Sequence, residues 1–155
     1  NNTSSQGLGY IFTRSGSSWT QQTQLGVSGN ATAGSSDVSL DNGTAVLGDH
    51  QNHTAYVFTG AGASWNQQAA LTPTGGGSYS TFGGRVSVSG DTVLAGDSGD
   101  NCAYLFNRSS GAWSQVSRLV APDGISDNGY GGDVAVLNNT AAIGAAYDNT
   151  YAGSV

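Results

Sequence analysis

The sequence of 155 residues contains no glutamate and no lysine: its ten acidic side chains are all Asp and its four basic ones all Arg. Charge is therefore sparse and leans to one sign, a net of −6. A general nucleic-acid binder needs a basic footprint, so that class is excluded. Without Glu, a two-carboxylate hydrolase would have to rest on an Asp pair. The Asp residues instead stand in turn-like stretches, where bonding to their own backbone explains them. The one cysteine, Cys102, reads either as an intermolecular partner or, preferably, as an unpaired small hydrophobe. No apolar run approaches the length that spans a bilayer. No signal peptide stands at Asn1, so either a leader has been removed or the chain is an excerpt.

Glycine is abundant, at 25 residues, and Ser, Thr and Asn fill much of the rest. These are poor helix formers, but Gly and Asn accept the positive φ of tight turns at little cost. The composition predicts many short strands joined by turns. Glycan acceptor triplets, Asn-x-Ser/Thr, begin at Asn1, Asn2, Asn30, Asn42, Asn52, Asn107 and Asn138. Together with the low charge they predict a secreted, extracellular glycoprotein.

The chain repeats itself. "GYIFTRSGSSWTQQTQL" (9–25), "AYVFTGAGASWNQQAAL" (55–71) and "AYLFNRSSGAWSQVSRL" (103–119) are copies of one phrase. Tyr10, Tyr56 and Tyr104 align, as do Phe12, Phe58 and Phe106, then Trp19, Trp65 and Trp113, then Leu25, Leu71 and Leu119. Val38, Val86 and Val134 follow, and Gly48, Gly96 and Gly144 close each unit, for a period of 46 to 48 residues.

Each unit carries four strand-like segments. Tyr-x-Phe alternates with period two, and the second segment runs from Trp to Leu. "RVSVS" (85–89) points two valines one way, and "TVLAG" (92–96) is apolar enough to be buried on both faces. Between the third and fourth segments stand Asn42-Gly43, Gly90-Asp91 and Asn138-Asn139, all tight-hairpin residues. The fold class predicted is all-β, with consecutive four-stranded antiparallel β-propeller-type blades in three repeats of about 48 residues, at 9–54, 55–102 and 103–153. A single such sheet cannot bury both faces, so the repeated Tyr, Phe and Trp are expected in the core and between units.

At these residues the chain resembles the FG-GAP repeat family of integrin-like β-propellers. The second unit carries Phe82-Gly83; the third has Tyr130-Gly131 and the first Gly34-Ser35 in its place. The GAP element corresponds to Gly48-Asp49, Gly96-Asp97 and Gly144-Ala145. The resemblance implies a closed ring of about seven blades, an extracellular setting and binding of proteins or glycans. It also implies calcium in an Asp-rich loop. The nearest candidates are Asp97, Asp100 and Asn101 in "DSGDN", and Asp123, Asp127 and Asn128 in "DGISDN". Neither has the family's alternating pattern.

Three units fall short of a closed propeller, which takes four to eight blades. The chain reads as an excerpt of a longer array or as a self-assembling unit, ring or filament. Nothing in it points to catalysis. His50 and His53 lack a third ligand, no Gly-x-Ser-x-Gly is present, and Gly75-Gly76-Gly77 reads as a linker. The function expected is that of a structural or adhesive module packing against adjacent repeats or copies of itself. The alternative is a carbohydrate- or protein-binding propeller with its ligand on the loop face. Tyr79, Tyr147 and Tyr151, the aromatics outside the repeat, are the candidates for ligand or self-contact.

Overall fold

A computed structural model describes residues 8–27, 36–78, 80–121 and 129–147. The described residues form β1 (Leu8–Ser15), β2 (Ser18–Gly26), β3 (Asp37–Asp41), β4 (Thr44–Asp49), β5 (Thr54–Ala61) and β6 (Ser64–Leu71). Then follow β7 (Arg85–Ser89), β8 (Thr92–Asp97), β9 (Cys102–Ser109), β10 (Ala112–Val120), β11 (Tyr130–Leu137) and β12 (Thr140–Ala145). All pairings are antiparallel. The expected turns close the β3–β4, β7–β8 and β11–β12 hairpins; Asn42 and Gly43 take φ of 42° and 74°, the left-handed pair that such a two-residue turn requires.

The strands group into two complete four-stranded sheets, β3-β4-β5-β6 and β7-β8-β9-β10, flanked by two half-sheets, β1-β2 and β11-β12. The sheets are thus phased half a repeat away from the units 9–54, 55–102 and 103–153. Each complete sheet joins the Val-rich hairpin of one unit to the Tyr-x-Phe hairpin of the next. Loop length decides this. The short segment 50–53 lets β4 turn straight back onto β5, whereas the long Gly-rich segment 72–84 carries the chain across to the next sheet.

The core lies between sheets, in three layers. Ile11, Leu25 and Val27 pack on Ala45, Leu47, Tyr56 and Phe58. Val46, Val57 and Leu71 on the opposite face of that sheet meet Val86, Val88, Val93, Tyr104 and Phe106. Leu94, Ala103, Leu105 and Leu119 then meet Val134, Val136 and Ile143. Within each complete sheet, Tyr-x-Phe faces the preceding sheet and the intervening residue faces the following one, as strand alternation demands.

The first unit departs from the expected burial. Tyr56, Phe58, Tyr104 and Phe106 are at most 6% exposed, but Tyr10 is 51% and Phe12 48% exposed. The tryptophans, expected in the core, are not buried: Trp65 and Trp113 pack half-exposed at the rim of a core layer, and Trp19 is open to solvent. Their hairpin strand lies at the sheet's outer edge, where a neighbouring sheet covers only part of a large ring.

Candidate functional site

Two kinds of contact join each sheet to the next, and both recur with the repeat. The first is a close approach of backbones at glycine. A Cβ on Gly48 would lie 2.1 Å from the carbonyl oxygen of Gly83, and one on Gly96 would lie 2.2 Å from that of Gly131. Gly83 and Gly131 themselves take φ of 82° and 89°, which a side chain would strain. The FG glycine therefore docks on the GAP glycine of the preceding sheet. Beside it, Phe82 is fully buried, edge-on to Tyr104 at 5.6 Å and to Phe106 at 6.0 Å between ring centroids. Tyr130 holds the same place in the third unit, half-buried.

The second contact is a ladder of side chain to backbone bonds. Val86 N donates to Asp37 Oδ2 at 2.9 Å, Val88 N to Ser39 Oγ at 3.0 Å and Gly90 N to Asp41 Oδ2 at 2.7 Å. One sheet further on, Val136 N donates to Ser87 Oγ and Asn138 N to Ser89 Oγ, both at 3.0 Å. Among the described residues β7 and β11 each have a backbone edge with no strand beside it, and the preceding sheet satisfies N–H groups along it. Sequence reasoning missed these acceptors. Their signal was the Asp or Ser alternating with valine or leucine in "DVSLD" and "RVSVS". In the third unit the corresponding residues are Asp133, Ala135 and Leu137, so two of the three acceptors are gone. Changing Ser87 to Ala is expected to leave Val136 N–H uncapped and to destabilise the β11–β12 hairpin by about 1–2 kcal/mol. Amide exchange should quicken at Val136 and stay unchanged at Val88, which Ser39 still caps.

On the outer rim, Gln68 bridges the two complete sheets. Its Oε1 accepts from Trp113 Nε1 at 2.9 Å and Arg108 Nη1 at 3.2 Å. The Arg108 guanidinium lies 5.1 Å over the Trp113 ring and pairs with Asp91 at 2.7 Å. Trp113 is thereby engaged in a contact between sheets.

The calcium candidates do not converge. The buried Asp97 carboxylate accepts from Ser80 Oγ at 2.8 Å and Thr81 N at 2.6 Å. Asp100 accepts from Gly77 N, and Asn101 Oδ1 from Gly129 N at 3.1 Å. These bonds lace the loops 77–81 and 97–101 together and join Asn101 to Gly129. Among the described residues no three His, Cys or Asp side chains gather closely enough to hold a metal ion. Asp123, Asp127 and Asn128 lie outside the described residues, as do Gly34-Ser35, Tyr79 and Tyr151.

Cys102 is a free thiol buried in the core layer between the two complete sheets. Burial raises the Tyr104 hydroxyl to about 12 and also pushes the Cys102 thiol up. Arg118 Nε donates to the Tyr104 hydroxyl at 3.3 Å. His50 Nδ1 lies 2.5 Å from Ser36 Oγ, tying the β4–β5 loop to the start of β3. Tyr147 is exposed, with its ring beside Gly129. A polar cleft of about 150 Å³ opens at the second seam, lined by Thr81, Arg85, Ser98 and Gly131 among others. Of the glycan acceptors, Asn42, Asn107 and Asn138 are exposed. Asn52 is half-buried, and the amide nitrogen that a sugar would occupy donates to Asp49 Oδ2 at 2.7 Å. Asn1, Asn2 and Asn30 lie outside the described residues.

These seams define an all-β repeat protein whose antiparallel sheets are joined through paired glycines and side-chain caps. The FG-GAP repeat family matches residues 65–112 and 113–155, more than half of the chain, and the chain belongs to that family. No curated protein matches it significantly.

Proposed function

We propose that this protein is a secreted, glycosylated structural or adhesive FG-GAP module that works without catalysis, by stacking its sheets against like units in a propeller-type array or an extracellular filament. One observation carries the reading. Tyr10 and Phe12 are about half exposed, while the same residues at the same position in the next two units are buried wherever a sheet precedes them. The face they form is built like the interior of a seam. FG-GAP repeats are typical of extracellular proteins, and the exposed Asn42, Asn107 and Asn138 suit glycan attachment. No helix among the described residues is long and apolar enough to cross a membrane. The cleft at Thr81, Arg85 and Ser98 is what favours the second reading, a protein or glycan ligand on the loops.

Sedimentation velocity over a hundredfold range of concentration tests the first reading. Species larger than the monomer should grow with concentration. Tyr10→Ser with Phe12→Ser should abolish them while changing monomer stability by no more than about 0.5 kcal/mol, as for exposed sites. A compact monomer throughout would overturn the reading.

A further inference from the structure

The two half-sheets correspond, strand for strand, to the two hairpins that make up each complete sheet. β12 holds the place of β4 and β8 in the repeat, and β1 the place of β5 and β9. Inside the chain, β4 pairs with β5 and β8 with β9. Among the described residues β12 has only β11 beside it, and β1 only β2. Each therefore presents a free edge of the kind that the other matches.

The exposed apolar residues map to the same junction. Leu105 and Leu119, on the following face of the β7–β10 sheet, remain half-buried, while their counterparts Val57 and Leu71 are covered by the next Tyr-x-Phe hairpin. Among the described residues no Tyr-x-Phe hairpin covers Leu105 and Leu119, and β1–β2 carries an exposed one. Val38 and Leu40 of β3 are 62% and 59% exposed, whereas their counterparts Val86 and Val88 are buried against the sheet before them. The face they would meet holds Ala135, Leu137 and Ala142; Leu137 is 68% exposed. Apolar residues thus stand on both sides of the seam at which Ala135 and Leu137 replace two of the three capping side chains.

We infer that a second copy of this chain completes the sheet, with β12 of one copy pairing antiparallel to β1 of the next in the register Thr140↔Thr13, Ala141↔Phe12, Ala142↔Ile11 and Ile143↔Tyr10. The register is that of Thr44↔Thr59 through Leu47↔Tyr56 and of Thr92↔Asn107 through Ala95↔Tyr104, transferred by the repeat. This deepens the reading of packing against like units and rests on it. The contact is head to tail: the edges joined are different, so each added copy leaves the same two edges at the ends of the assembly. Tyr10 and Phe12 of the incoming copy then cover Leu105 and Leu119 of its partner, and its Val38 and Leu40 settle on Leu137 and Ala142.

Mixing two singly substituted chains tests the register. Phe12→Cys and Ala141→Cys lie on the same face, at positions exposed in the free chain. Oxidation of the mixture should give a mixed dimer with the linked peptides 12 and 141. Ala142→Cys points to the opposite face and should link to Phe12→Cys at least tenfold less. The pair Tyr10→Cys and Ile143→Cys repeats the test in the same register should either first variant fold poorly. The unsubstituted chain, whose Cys102 is buried, sets the background. Large species in sedimentation without a 12–141 link would overturn this pairing and leave stacking of like units standing. Absence of any large species would overturn both. A chain carrying both substitutions that links only within itself when dilute, and never across copies on mixing, would place its own β12 on β1 and also overturn the proposal.

Discussion

Replacing Gly131 with alanine is expected to detach the β11–β12 hairpin from the β7–β10 sheet at a cost of about 3–4 kcal/mol. Two effects add. The φ of 89° at Gly131 lies in the region that L side chains rarely adopt, which costs about 1–2 kcal/mol for a non-glycine residue. The new Cβ would also stand 2.2 Å from the carbonyl oxygen of Cys102 and 3.0 Å from the amide nitrogen of Asp97. Both are backbone atoms that cannot rotate away, and such overpacking typically costs a further 1–3 kcal/mol or so. Gly111 separates the two effects. Its φ is 82°, but a Cβ there meets nothing within 4 Å. Gly111→Ala should therefore cost only about 1–2 kcal/mol, the backbone part alone. Urea unfolding read alongside amide exchange checks both. In Gly131→Ala, protection should fall along β11 and β12 and persist in β3 to β6, because stacked sheets contact only their neighbours. Equal losses in the two variants would mean that the glycine approach does not hold the seam.

Phe82→Ala is expected to be about as damaging, at about 3–5 kcal/mol. Phe82 is fully buried and touches Tyr104 and Phe106 edge-on, inside the layer that joins the two complete sheets. Removing the ring opens a cavity walled by β-strands that are themselves held in register, so collapse is limited and the cavity persists. Phe82→Leu retains most of the volume and should recover more than half of the loss. The expected signature is a lower unfolding midpoint, with exchange increased on β7 to β9. A loss below about 1 kcal/mol for Phe82→Ala would show that the FG aromatic is peripheral to the seam.

Much of this was legible because it is local. Tyr-x-Phe alternation, the Asn42-Gly43 turn and the apolar run of β8 each announce a strand or hairpin from a few adjacent residues, and among the described residues β1, β5 and β9 carry the Tyr-x-Phe phrase, while β3–β4 flank the turn. The equivalence of Tyr10, Tyr56 and Tyr104 was equally plain. The seam was half legible. Phe82-Gly83 and Gly96 could be matched to a family phrase, but nothing in the order of residues says that Gly83 of one unit rests on Gly48 of the unit before it. The caps from Asp37, Ser39 and Ser87 were hidden for the same reason: a serine in a strand looks like a solvated serine until the strand behind it is in place. The calcium expectation followed the spacing of oxygen-bearing residues, whereas the donors that Asp97, Asp100 and Asn101 meet come from separate loops that only the fold brings together.

The amino-acid order alone determined the strands, their turns and the period, since each depends on neighbours in the chain. Tertiary structure alone decided which four strands share a sheet and which copy of a repeated residue is buried. Strand pairing and burial are relations between segments. Phe58 and Phe12 have the same local surroundings in sequence, and only the presence of a sheet before one of them makes it core.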